Sequence, residues 1–166
     1  MEADPPATLE PQGRLLEHAL GLAYRHLGKR DRTAAQVRRH LASRDVGEEA
    51  IEQAVAELVR LGYLDDARFA QVFAEDRRTL DGWGPERIER GLLAAGVDGD
   101  LVAAAIGVRD AGEELDAALE LLRRRCREVP ADERARERAL GILVRKGYDL
   151  ELAYDAVRAF ERAGAG

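Results

Sequence analysis

The chain has 166 residues, of which 46% are apolar and 35% charged, and its formal net charge at pH 7 is −6. Its abundance of Ala, Leu, Glu and Arg favours helices, and its length allows either one domain or a short array of small units. The acidic balance argues against a protein that is mainly an electrostatic DNA binder, and the single cysteine excludes an internal disulfide. No apolar run approaches a membrane span and no signal pattern is seen, so we expect a cytoplasmic protein without membrane contact.

The first three helices are predicted from local patterns. Residues 1–13 hold three prolines and little apolar periodicity, which is typical of a disordered tail. Amphipathic spacing predicts a helix over residues 14–27. Thr33 with Gln36 three positions later forms a capping box that starts a second helix. A break near Asp45 leads to a third helix, which Gly62 ends by taking a left-handed conformation.

The stretch 62–70 joins this segment to the next. Asp65 or Asp66 is expected to start the following helix, because a carboxylate at that place accepts hydrogen bonds from unpaired backbone N–H groups. The two aspartates could instead ligate Mg²⁺, but no third acidic residue joins them at a motif-like spacing. Capping is therefore preferred to a metal site. Leu64, Phe69 and Ile88 are expected in the core.

The sequence repeats itself at a shift of 51 residues. Gly96 maps onto Gly147 at a turn between helices, and Asp45 stands at that place in the first copy. The repetition predicts an all-α fold of three tandem three-helix repeats, helix-turn-helix-like units in an elongated, curved array, over residues 14–62, 63–110 and 111–162. The matching core positions are Val37, Leu41 and Val46, then Ile88, Leu92 and Val97, then Ala139, Leu143 and Tyr148.

Several residues that suggest chemistry have structural explanations. Gly82-Trp83-Gly84 lacks the glycines and the Lys-Ser or Lys-Thr of a phosphate loop, which favours a tight connection with a partly buried indole. Cys126 lies on the apolar face of a helix predicted over residues 114–128, without an activating histidine. The three histidines lie in helices as surface or boundary residues. We therefore expect no catalytic residues, no metal, no cofactor and no enzymatic activity.

The basic residues are unevenly spread. Residues 25–44 carry seven arginines and lysines against one acidic residue, Asp31. A second basic group with acidic neighbours occupies the matching helices of the second copy and consists of Arg68, Arg77, Arg78, Arg87 and Arg90. Such runs are either solvated faces with weak ion pairs or surfaces that recognise phosphates or carboxylates. The candidate partner-binding residues are Arg30, Arg32, Arg38, Arg39, Tyr63, Arg68, Arg77 and Arg87.

These residues resemble the RecX regulatory proteins, which modulate the RecA recombinase. The matching motifs are Gly62-Tyr63-Leu64-Asp65-Asp66-Ala67-Arg68-Phe69-Ala70, Gly82-Trp83-Gly84-Pro85-Glu86-Arg87-Ile88 and Arg30-Asp31-Arg32-Thr33, and the resemblance covers residues 15–160. The family often has serine in place of Thr33 and an acidic residue followed by leucine in place of Gln36-Val37. The third copy is the least similar.

The resemblance implies a monomeric, non-enzymatic negative regulator that binds in the groove of the RecA filament on single-stranded DNA. Such a protein blocks filament extension or promotes disassembly, and so inhibits ATP hydrolysis, strand exchange and coprotease activity during recombination, DNA repair and the SOS response. Weak direct DNA contact is compatible with it. The alternative is a direct DNA-binding helix-turn-helix regulator, with residues 34–42 as the recognition helix in the major groove.

Overall fold

The computed structural model describes residues 11–164, and within that range the chain forms nine α-helices. The all-α class predicted from the sequence is confirmed, and the helices follow one another in three groups of three. They are α1 (Pro11–Leu27), α2 (Ala34–Ala42), α3 (Glu48–Arg60), α4 (Asp66–Asp81), α5 (Pro85–Ala94), α6 (Gly99–Ile106), α7 (Ala111–Arg125), α8 (Glu133–Lys146) and α9 (Leu150–Gly164).

Two predicted boundaries differ from the structure. Helix α1 begins at Pro11 rather than at residue 14, because proline suits the first turn of a helix; residues 1–10 of the predicted tail lie outside the described residues. Helix α7 begins at Ala111, where Asp110 and Glu113 form a capping box, and ends before Cys126, whose backbone is extended. The three-way division of the chain into residues 14–62, 63–110 and 111–162 stays a prediction.

Packing divides the chain into two compact units. The first unit runs to Phe69 and includes the turn Ala95–Val97. In it α1, α2 and α3 pack against one another. Their apolar faces form one core because the buried residues recur at helical spacing. The fully buried members are Ala19, Ala23, Val37, Leu41, Ala54 and Leu58, and Leu64 is 2% exposed.

Thr33 connects three parts of the first unit. Its side-chain oxygen accepts a hydrogen bond from the Gln36 N–H (3.1 Å), while the Gln36 side chain accepts one from the Thr33 N–H, so the predicted capping box is confirmed. The Thr33 hydroxyl also donates to the carbonyl of Ala95 at 2.6 Å. Asp66 accepts a hydrogen bond from the Ala34 N–H at 2.9 Å. The side chains of Thr33, Gln36 and Asp66 thus accept hydrogen bonds from three N–H groups at the start of α2.

We expect the Thr33→Val variant to lose about 1–3 kcal/mol of unfolding free energy, because valine keeps the shape but removes the cap and leaves the Ala95 carbonyl unpaired. Chemical denaturation followed by circular dichroism measures the loss. Thr33→Ser, which retains the hydroxyl, is the matched control and should cost less. Equal stability of the serine and valine variants would contradict the role given to the hydroxyl.

The second unit comprises Ala70–Ala94 and the chain from Asp98 onward. Helix α5 packs on α6, and α7, α8 and α9 pack together around a core that includes Leu122, Leu143 and Val157. Ile88 is fully buried, as predicted, whereas Phe69 at the end of the first unit is half-buried. Within residues 11–164 no helix is both long and apolar enough to cross a membrane.

The contact made by Thr33 has a counterpart 51 residues later, inside the second unit. The N–H of Gly84, immediately before α5, donates to the carbonyl of Lys146 at 2.7 Å, and the N–H of Glu86 donates to that of Gly147 at 3.0 Å. The carbonyl end of α8 therefore pairs with the amide end of α5. In both units the start of one repeat's second helix contacts the turn after the next repeat's second helix.

The turns that receive these contacts have left-handed backbones. The φ angles are 80° at Gly96 and 92° at Gly147, and Asp45 at the equivalent place in the first repeat has a φ of 59°. A side chain on Gly96 would collide with Ala35, and one on Gly147 would collide with the backbone of Arg87. Asp45 tolerates the conformation because aspartate is among the few residues that adopt it. The repeat predicts a left-handed residue at Gly96 and Gly147, which the structure confirms, and the structure shows the same conformation at Asp45.

Candidate partner-binding residues

The basic segment after α1 lies beside a stacked pair of histidines in the first unit. The rings of His26 and His40 are 3.9 Å apart between centroids and nearly parallel, at 5°. Arg30 is exposed, whereas Arg32 is half-buried and its Nε has no hydrogen-bond partner among the described residues. Burial, and then the charge of Arg30, lower the pKa of Arg32. Positive charge is therefore concentrated here.

The histidine pair responds to that charge. Burial lowers the pKa of His26 below its ordinary value of 6.5, and the charges of His40, Arg32, Lys29 and Arg30 lower it further. The pKa of His40 is lowered by burial first and then by Arg44, Arg32 and Lys29. The neutral form of each imidazole is favoured because a proton there would be poorly solvated and repelled.

We expect the first unit to lose stability as the pH falls from 7.5 towards 5.5. The unfolded chain takes up protons on both histidines below about pH 6.5, before the folded chain does, so unfolding is favoured. Chemical denaturation at several pH values measures the slope. Replacing His40 with glutamine should flatten it, because the lowered pKa of His40 is one source of the slope. An identical slope in wild type and His40→Gln would refute the explanation.

Arg38 and Arg39 are adjacent on α2 but differ in their surroundings. Arg38 makes a two-pronged contact with Glu52 of α3, with Nε and Nη2 2.8 and 3.1 Å from the carboxylate oxygens. The hydrogen bond and the charge of Glu52 raise the pKa of Arg38. Arg39 is exposed and forms no ion pair within residues 11–164. Arg39 is therefore the more available of the two for a partner.

Tyr63 and Arg68 lie at the start of the second repeat. Tyr63 is 56% exposed and meets Tyr24 of α1 edge to face, with centroids 5.2 Å apart. Arg68 is exposed, and its backbone N–H donates to Asp65 at 2.9 Å. Asp65 thus caps α4, whereas Asp66 caps α2. The sequence predicted capping by this pair but not that the two carboxylates serve different helices.

Arg77 and Arg87 share the single tryptophan of the second unit. The guanidinium carbons of Arg77 and Arg87 lie 5.1 and 4.3 Å from the Trp83 ring centroid. Arg77 also pairs with Asp81 at 2.7 Å, and Arg87 donates to the carbonyl of Arg145 at 3.1 Å. Such contacts fix both side chains. Trp83 itself is half-buried, as predicted for the tight connection.

Within the first unit, most of the candidate residues lie on the surface. Arg30, Arg39, Tyr63 and Arg68 are exposed there, and Arg38 is held by Glu52. Among the described residues no group of three or more His, Cys, Asp or Glu is arranged to hold a metal ion. The exposed arginines of the first unit are separate forked donors, a side-chain type that can pair with carboxylates or phosphates.

Sequence reasoning missed the burial of Arg78. This residue of α4 was counted with the surface arginines, but it is only 6% exposed. Its Nε lies 3.9 Å from a carboxylate oxygen of Glu114, which is 5% exposed, and its Nη2 donates to the carbonyls of Ala105 and Ile106 at 3.2 and 2.9 Å. The available signal was its spacing: Ala70, Ala74 and Arg78 follow one another at intervals of four on a single helical face.

The burial of this pair affects the pKa of its acid. Burial raises the pKa of Glu114, and the positive charges of Arg78 and Arg109 only partly oppose the shift. The neighbouring Tyr148 is buried as well, and its pKa is raised to about 12, by burial first and then by the charge of Glu114. Arg78 is therefore an internal cation that connects α4, the end of α6 and the start of α7.

Comparison with known proteins places these features in a family. Residues 19–58 match the family model described as RecX, first three-helix domain, and residues 65–106 match RecX, second three-helix domain. The chain is 34% identical to the Regulatory protein RecX of Mycobacterium avium over 158 residues, which cover 93% of this chain and 90% of that one. It is 35% identical to that of Amycolatopsis mediterranei over 156 residues, covering 93% and 89%.

Solved structures show the same fold. The crystal structure of RecX from Lactobacillus salivarius superposes with a TM-score of 0.78 at 17% identity, covering 90% of this chain and 98% of that one. A second crystal structure, of a regulatory protein RecX, gives a TM-score of 0.76 at 19% identity, with coverage of 95% and 81%.

Proposed function

Because the chain belongs to the RecX family of regulatory proteins, we propose that it is a negative regulator of the RecA recombinase. In this proposal it binds in the groove of the RecA filament on single-stranded DNA. Binding blocks filament extension or promotes disassembly, and so inhibits ATP hydrolysis, strand exchange and coprotease activity. It acts as a cytoplasmic monomer during recombination, repair and the SOS response.

The observation that carries the proposal is the match along the chain. The similarity to curated regulators extends over 93% of the sequence, so it includes the joint at residues 62–70 and all three helix groups rather than one common motif. A helical filament presents the same surface on successive protomers. Several weak contacts from one chain then add through effective concentration, while a free protomer is bound poorly.

The surface chemistry supports an acidic partner and suggests which residues meet it. Arg30, Arg39 and Arg68 are exposed in the first unit, and Tyr63 adds an exposed aromatic ring. Arginine and tyrosine are the residue types that contribute most at protein interfaces. Arg38, Arg77 and Arg87 already have internal contacts, so we rank them below these four as partner-binding residues. The net charge of −6 opposes indiscriminate coating of DNA.

The experiment is cosedimentation with RecA filaments on single-stranded DNA, paired with measurement of the RecA ATPase. We expect binding to filaments and inhibition of the ATPase, with weak binding to free RecA. Arg39→Glu should weaken both about tenfold, a typical effect for a reversed charge at an interface. Arg162→Glu, at an exposed position of α9 outside the proposed surface, is the matched control and should behave as wild type.

One result would contradict the proposed function, and another would correct only its binding surface. Tight binding to bare duplex DNA with a steep dependence on salt, in the absence of any effect on RecA filaments, would favour the helix-turn-helix regulator instead. Equal inhibition of the RecA ATPase by wild type, Arg39→Glu and Arg162→Glu would agree with the proposed function but would show that Arg39 is not part of the binding surface. Circular dichroism of each variant confirms that it is folded.

A further inference from the structure

A surface pocket in the second unit is lined almost entirely by cations. Its volume is about 430 Å³, and it is bounded by Arg87, Arg125, Arg145 and Lys146, with Ile142 as the remaining lining residue. No carboxylate lines it. A neighbouring pocket shares Arg125 and Ile142, and its lining mixes Arg127 and Arg138 with Glu128 and Asp132. This density of positive charge is unusual in a chain whose net charge is −6.

Two of the four cations are held in position by the backbone. Lys146 Nζ donates to the carbonyl of Asp81 at 2.6 Å, and Arg87 donates to the carbonyl of Arg145 at 3.1 Å while contacting the Trp83 ring. Lysine and arginine carry further N–H donors that these single contacts do not use. Holding the side chains in place reduces the ordering that a ligand would have to impose.

The other two cations lack acidic partners. Arg125 and Arg145 are exposed, and neither forms an ion pair within residues 11–164. Asp81 is the carboxylate that acts on Lys146, and it already pairs with Arg77 at 2.7 Å. Burial, followed by the charges of Arg125 and Arg87, lowers the pKa of Lys146. The cations therefore repel one another, and an anion in the pocket would relieve that repulsion.

Helix ends account for only part of this arrangement. Arg125, Arg145 and Lys146 stand in the last turns of α7 and α8, where the helix dipole favours cations. At α8, however, the carbonyls of Lys146 and Gly147 already accept hydrogen bonds from Gly84 and Glu86. The negative end of that helix is thus partly satisfied by the amide end of α5, so it does not explain four cations without a carboxylate.

We propose that this pocket binds a phosphate group. A phosphate offers several strong acceptor oxygens, which match the forked donors of three arginines and the ammonium of Lys146. The phosphate can belong to a free polyphosphate or nucleotide, or to the backbone of a nucleic acid, because each offers the same oxygens. The inference concerns the second unit by itself and does not depend on the regulation of RecA.

The test is titration of the full chain by isothermal calorimetry with two probes. Sodium tripolyphosphate represents the free ligand, and a single-stranded oligothymidylate represents the phosphodiester backbone. The double variant Arg125→Gln/Arg145→Gln should bind about 100-fold more weakly, about tenfold for each charged hydrogen bond removed. Arg90→Gln/Arg162→Gln is the control with the same change in charge, because both residues are exposed and neither lines the pocket.

The outcomes separate the sources of the phosphate. If tripolyphosphate binds to wild type and to the control but not to Arg125→Gln/Arg145→Gln, the pocket variant, the proposal is supported and the phosphate belongs to a free ligand. Pocket-dependent binding of the oligonucleotide alone supports it with a phosphodiester. No binding of either probe in low-salt buffer, or equal weakening in the pocket and control variants, would overturn it. Circular dichroism of both variants verifies that the substituted chains fold.

Discussion

Replacing Arg78 with methionine should lower the free energy of unfolding of the second unit by about 3–5 kcal/mol, the loss expected when one partner of a buried ion pair is removed. Methionine fills similar space, but it leaves the carboxyl of Glu114 at 5% exposure without its cation and takes the donor from the carbonyls of Ala105 and Ile106. Trp83 is the only tryptophan and lies in this unit, so its fluorescence during urea denaturation reports the change.

The double variant Arg78→Met/Glu114→Met separates charge from packing. With both charges removed, no carboxyl is buried without a cation, so we expect the double variant to have a higher free energy of unfolding than Arg78→Met. That free energy should still be lower than in wild type, because the carbonyls of Ala105 and Ile106 have lost a donor. Arg77→Met is a useful comparison because Arg77 is half-buried and paired near the surface. A loss no larger for Arg78→Met than for Arg77→Met would contradict the importance given to the buried pair.

Adding a methyl group to Gly147 or Gly84 should cost at least about 2 kcal/mol, because each change forces backbone segments apart. A Cβ on Gly84 would lie 2.6 Å from the carbonyl oxygen of Gly147, and one on Gly147 would lie 2.5 Å from the Arg87 nitrogen. Gly147→Ala also imposes a left-handed conformation on alanine, for which about 1–2 kcal/mol is typical. Trp83 fluorescence again measures both losses.

Two other glycines supply matched controls. Gly62 has a φ of 79° but no atom within 4 Å of an added Cβ, so Gly62→Ala measures the conformational cost alone. Gly99 has equally open surroundings and an ordinary φ, so Gly99→Ala should leave stability unchanged or raise it slightly. If Gly147→Ala cost no more than Gly62→Ala, the close approach of α8 and α5 would not be a source of stability.

Local chemistry explains which parts of the fold could be predicted. The capping box at Thr33, the left-handed turns at Gly96 and Gly147 and the proline that begins α5 depend on residues within a few positions of each other. Alignment of the repeats placed glycine at two of the three turns, whereas the left-handed conformation of Asp45 is seen only in the structure. The presence of a helix and the conformation of a turn can therefore be predicted from this sequence.

Pairings between distant residues could not be predicted in the same way. Arg38 looked available until the structure placed Glu52 beside it, and Asp66 caps a helix that begins 32 positions earlier in the chain. Both contacts depend on how helices pack, which apolar spacing does not determine. Arg78 is different, because its spacing of four residues from Ala74 and eight from Ala70 places it on their buried helical face. Its charge favours a surface position, and here the spacing was the better guide to burial.

The contact between the ends of α5 and α8 has a consequence for exchange with solvent. The amide protons of Gly84 and Glu86 belong to the second repeat, yet their acceptors are the carbonyls of Lys146 and Gly147 in the third. Amide protons exchange only when such bonds open. In heavy water these two protons will therefore follow the opening of α8 rather than the fraying of α5, so deuterium uptake at one repeat records the integrity of the next.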